Sequence, residues 1–99
     1  MRGISEISDI KAILRTNSGR NIRVSMLLKE CNLVNNYTVK EYDYIERNDL
    51  GTIEIYGIEN KLILPIDDAE EVHIRKNNTS NIVLLVLDFG IYTVSLAVS

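Results

Sequence analysis

The chain has 99 residues, 45% hydrophobic and 25% charged, with one proline and one cysteine. That suits one packed domain rather than two, and a single cysteine excludes both an internal disulfide framework and a cysteine-based zinc site. Eleven basic side chains against 14 acidic ones leave a net charge of −3, too small to mark a nucleic-acid tail or a heavily acidic mimic.

The composition favours strands. Ile, Leu and Val supply 33 residues, 14 of them Ile, while Ala supplies only three. Isoleucine is stiff at χ1 and fits a pleated sheet, whereas alanine is the strongest helix former. Ten asparagines punctuate the chain where turns are needed. Abundant Ile and Asn with little Ala is also what an AT-rich genome writes, as in a low-GC bacterium or a virus of such a host. Met1-Arg2-Gly3 leads into alternating Ile, Ser and acidic residues rather than an apolar signal core, so a cytoplasmic location is expected. The glycosylation triplets at Asn36, Asn77 and Asn78 read as chance matches.

In chain order, Ile4, Ile7 and Ile10 recur every third position, which is compatible with a short N-terminal helical turn. From Ile10 the pattern reads as period two. Ile10, Ala12 and Leu14 alternate with Lys11, Ile13 and Arg15, and after the turn signal Asn17-Ser18-Gly19 the strand Ile22 to Lys29 follows. Together these predict a hairpin with one apolar face. Asn32 to Asn36 reads as a loop and Tyr37 to Arg47 as a polar strand carrying three tyrosines. Thr52 to Ile58, Leu62 to Ile66 and Val72 to Ile74 read as short strands, the second ended or pushed to an edge by Pro65. Asn77 to Asn81 is linker-like. Ile82 to Leu87 and Ile91 to Ser99 form a C-terminal hydrophobic hairpin about Asp88-Phe89-Gly90.

These elements predict one all-β domain, a small barrel or sandwich of about seven short antiparallel strands. Residues 10–76 would be the barrel-like part and 82–99 the hairpin. The layout resembles SH3-like and Sm-like small barrels in strand spacing alone.

Ile82 to Leu87 is apolar on both faces, so both faces need cover. Three kinds of cover fit it. In the first, Val83, Leu85, Leu87, Tyr92, Val94 and Leu96 form an interface with a second copy or another protein. In the second, the segment is a central strand inside its own domain. The third is a tail anchor, opposed by Asp88 at its centre and by a length below the ~20 residues a spanning helix needs; no membrane partner is expected.

Lys11, Arg15, Arg23 and Lys29 would share the outer face of the first hairpin, either as a solvated face, as a strip for nucleic-acid or nucleotide phosphates, or as a docking strip for an acidic subunit. Tyr42 and Tyr44 could stack bases beside it or pack against protein. His73, the acidic run Asp67 to Glu71 and Cys31 read as ordinary surface groups, and Asp88-Phe89-Gly90 as a turn. No catalytic motif and no metal or cofactor signature is present, so the expected function is non-catalytic: a protein-binding or regulatory module that self-associates, of the kind a phage or virus uses to inhibit a host factor. The alternative is a small-barrel binder of nucleic acid or nucleotide.

Overall fold

The computed structural model describes residues 4–76, 79 and 81–98. Its first element departs from the expected hairpin. Ile4–Thr16 is an α-helix, α1, and not a helical turn followed by a strand. Over six residues Ile10, Ala12 and Leu14 fit a period of two, but the longer run obeys the helical period, and Ile7, Ile10 and Leu14 bring one stripe into the core. Glu6 in the first turn and Arg15 in the last complement the helix dipole. Asn17 ends the helix by donating from Nδ2 to the Ile13 carbonyl at 2.8 Å. Asn17-Ser18-Gly19 is therefore a helix exit, with Gly19 at φ +94°, and not a hairpin turn.

Eight strands follow among the described residues: β1 (Ile22–Leu28), β2 (Leu33–Val39), β3 (Asp43–Arg47), β4 (Thr52–Tyr56), β5 (Lys61–Leu64), β6 (Glu71–Lys76), β7 (Val83–Asp88) and β8 (Tyr92–Val98). They form a five-stranded antiparallel sheet in the order β2-β1-β8-β7-β6 and a three-stranded sheet in the order β3-β4-β5. The fold is sandwich-like and the sheets do not close into a barrel, which settles that expectation. Asn32 to Asn36 is largely strand rather than loop. The expected single strand Tyr37 to Arg47 is two, broken at Lys40-Glu41, where Glu41 takes φ +49° and the chain passes from one sheet to the other. Pro65 follows β5, as its missing N–H requires, and opens a 3-10 turn at Ile66–Asp68. The linker-like stretch Asn77 to Asn81 falls largely outside the described residues.

The core lies between the inner face of the large sheet and a second layer made of the small sheet and α1. Ile22, Val24, Leu85, Leu87, Val94 and Leu96 meet Ile53, Ile55, Leu62, Leu64, Ile10 and Leu14 there. The C-terminal hairpin thus has its cover within the chain: β7 is an interior strand whose Leu85 and Leu87 face the core. No helix of the described residues is long and apolar enough to cross a membrane.

Candidate protein-docking surface at the β2 edge

The expected interface is inside the protein. Leu85, Leu87, Val94 and Leu96 are fully buried, and Val83 and Tyr92 pack half-buried against the same core, so the six do not form an open apolar face, and of them Tyr92 alone lines an apolar cleft. On the other face of β7, Leu84 and Val86 are half-buried, with Arg75 and Ala97 opposite Leu84 and His73 and Ser95 opposite Val86 on the neighbouring strands.

The expected basic strip is also dispersed, because the hairpin that carried it is a helix and a strand. Lys11 and Arg15 lie on α1. Lys11 reaches Asn48 Oδ1 at 3.4 Å, and Arg15 forms an ion pair with Glu46 on β3 that raises the guanidinium pKa. Arg23 stands on the outer face of β1, lining a shallow pocket with Ser25, Asn36, Tyr37 and Thr38. Lys29 lies past the far end of β1, about 20 Å from Arg23 at strand rise. Its Nζ meets Asp88 Oδ1 and Oδ2 at 2.8 and 2.9 Å, which together with the Gly90 N–H holds the Asp88 carboxyl below its usual range. Three of the four cations therefore have protein partners.

Nor do the tyrosines make a platform. Tyr42 is wholly buried; its hydroxyl donates to the Leu14 carbonyl at 2.7 Å, and burial pushes its pKa up to about 12. Tyr44 is half-buried, and its hydroxyl is closed off from solvent without a hydrogen-bond partner among the described residues. Burial, with the negative charge of Glu46, drives its pKa up further. His73 and Cys31 are exposed. Among the described residues no group of three or more His, Cys, Asp or Glu is placed to hold a metal ion.

What sequence reasoning missed is β2. It is the outermost strand of the large sheet, and Leu33 to Val39 contains neither charge nor proline. The other edges carry the usual safeguards: β6 has Glu71, Arg75 and Lys76, β3 has Asp43, Glu46 and Arg47, and β5 is four residues long with Pro65 beyond it. An uncharged run of nine residues, 31–39, flanked by Lys29-Glu30 and Lys40-Glu41 was the available signal, masked by Asn32, Asn35 and Asn36, which read as a loop.

The orientation of the β2 backbone follows from its neighbours. Lys29 N–H bonds the Ile91 carbonyl, extending the β1–β8 ladder, so odd-numbered residues of β1 face β8 and even-numbered ones face β2. Through the β1–β2 register, Leu33, Asn35, Tyr37 and Val39 bond β1, while Val34, Asn36 and Thr38 turn their N–H and C=O groups outward. Asn60 Nδ2 donates to the Thr38 carbonyl at 3.0 Å from that outer side. No described strand covers the outward groups of Val34 and Asn36.

Beside this edge lies an apolar cleft of about 320 Å³, lined by Met26, Leu27, Leu28, Leu33, Asn35 and Tyr92. Leu33 is 63% exposed and Val34 52%. Open main-chain groups and exposed apolar side chains therefore coincide at the tip of the β1–β2 hairpin. Such a surface can hold an extended segment by backbone pairing and seat its side chains in the cleft. No protein-family model, curated protein or solved structure matches the chain.

Proposed function

We propose that the chain is a non-catalytic protein-binding module, acting by association at the β2 edge and its apolar cleft. One observation carries this reading: the single edge among the described strands without charge or proline is also the one flanked by exposed Leu27, Leu28, Leu33 and Val34. Unsatisfied edge groups and contiguous apolar surface both favour a strand from a protein partner. Regulation of a partner by docking is the activity this implies. The phosphate-binding alternative loses its support with Arg15 and Lys29 paired and Tyr42 in the core.

Selection from a displayed library of short peptides tests it. Captured sequences should be extended and alternately apolar, and their binding should barely respond to salt, because it releases few counterions. Asn36→Pro should abolish capture, since its N–H points away from β1 and the substitution spares the internal ladder. Capture that survives Asn36→Pro, or that falls steeply with salt, would overturn the reading.

A further inference from the structure

Resting on that protein-binding reading, we infer that the occupant of the β2 edge is a second copy of the chain, paired antiparallel with the two Asn35 residues opposite each other across a two-fold axis. Three observations converge on this register.

The first is the extent of the open edge. It begins at Leu33, where β2 starts, and ends at Tyr37, because Asn60 already occupies the Thr38 carbonyl. The midpoint of Leu33 to Tyr37 is Asn35, so two copies overlap along the whole open stretch only when centred there.

The second is hydrogen bonding. With Asn35 on the axis, Val34 of one copy faces Asn36 of the other, and these are the residues whose N–H and C=O groups point outward. Each pair exchanges both bonds, and every open group between Leu33 and Tyr37 is satisfied. Sliding by one residue to centre on Asn36 would set Val34 against Thr38, whose carbonyl is taken. Leu33 then lies beside Tyr37 of the second copy on the inner face, an aliphatic–aromatic cross-strand pair.

The third is charge. Exposed Glu30 precedes β2 and exposed Lys40 follows it. Both lie in the turns that bound β2, so the two-fold brings the turn carrying Glu30 of each copy to the end of β2 that carries Lys40 of the other. With Lys29 held by Asp88, Glu30 is the open charge at one end of β2, and its approach to Lys40 of the second copy, which Glu41 follows, favours the antiparallel arrangement over a parallel one that would bring Glu30 to Glu30. The product is a ten-stranded sheet continuous across the dimer, with both apolar clefts on the same side. A ladder this short belongs among small interfaces, so the expected affinity is micromolar or weaker.

The experiment is sedimentation of the purified full chain from about 1 µM to about 1 mM, a range that brackets such affinities. A monomer–dimer equilibrium is expected. Asn36→Pro should weaken it by roughly a hundredfold, as two outward donors are lost per dimer and the ladder is blocked. Val34→Lys, which leaves the backbone intact, should do the same if the proline variant folds poorly. Glu30→Lys and Lys40→Glu should each weaken self-association by roughly tenfold and recover it when the two variants are mixed, because only the mixed dimer restores both pairs. A monomer at every concentration, or a dimer indifferent to these substitutions, overturns the inference. The peptide selection separates the two failures: a monomer whose peptide capture still depends on Asn36 sinks the second copy alone, while a monomer that captures nothing sinks the docking reading as well.

Discussion

Tyr42 and Tyr44 stand two positions apart and occupy opposite hydrogen-bonding situations. The Tyr42 hydroxyl donates to the Leu14 carbonyl near the end of α1, fastening the helix to the chain entering β3. Replacing it with Phe leaves a buried carbonyl without that donor and should cost about 1–2 kcal/mol in denaturant unfolding. The Tyr44 hydroxyl is enclosed and lacks a hydrogen-bond partner among the described residues while feeling the Glu46 charge, so Tyr44→Phe removes a desolvated polar group that gains little there. Its expected effect is neutral to stabilising by up to about 1 kcal/mol. The contrast is the check: equal losses in the two variants would mean that ring packing, and not the hydroxyl, governs both sites. Gly51 poses a backbone problem at the same scale. It sits at φ +68° in the β3–β4 turn, and a Cβ there would lie 2.9 Å from Asp67 Oδ2, so Gly51→Ala should destabilise by about 1–3 kcal/mol.

Among the elements, the C-terminal hairpin now has a stability role. Leu85 and Leu87 are central to the core, and Leu85→Ala should cost about 2–5 kcal/mol, read from unfolding midpoints at fixed protein concentration. A loss under 1 kcal/mol would contradict its placement. This hairpin was legible in the sequence because both strands are long, apolar and joined by a turn whose Gly90 adopts φ +92°. What covers it was not, since a strand that is apolar on both faces looks the same whether its own sheet or a partner shields it. The helix was half legible. Ile4, Ile7 and Ile10 carried the period, but Ala12 and Leu14 satisfied the strand period over a window too short to choose between them. That one substitution of helix for strand dispersed the basic strip, because Lys11 then reaches Asn48 in the β3–β4 turn and Arg15 reaches Glu46 on β3. The β2 edge was hidden for a related reason: asparagines in turns and asparagines on a polar edge strand are indistinguishable until pairing is known.

For the molecule as a whole, the titratable groups set where folding weakens with pH. Tyr42 and Tyr44 are both pushed up chiefly by burial, and Tyr37 is raised by burial too. Each holds its proton in the folded state above the ordinary tyrosine value of about 10, at which the unfolded chain releases it. Their contribution is therefore fully present below about pH 10 and is lost as pH rises toward the folded values, about 12 for Tyr42. Asp88 acts in the opposite sense. Lys29 and the Gly90 N–H depress its pKa, so its contribution is present at neutral pH and disappears as pH falls through the folded value. Because that pair is partly exposed, the acid-side effect should be small and should shrink with added salt. Stability measured by urea unfolding should thus form a plateau with a steep alkaline shoulder and a shallow, salt-sensitive acid one. Tyr42→Phe lowers the plateau but flattens the shoulder, since one proton-retaining group is gone, and Lys29→Met flattens only the acid side. An alkaline slope left unchanged by Tyr42→Phe would show that its burial does not persist as the chain approaches unfolding.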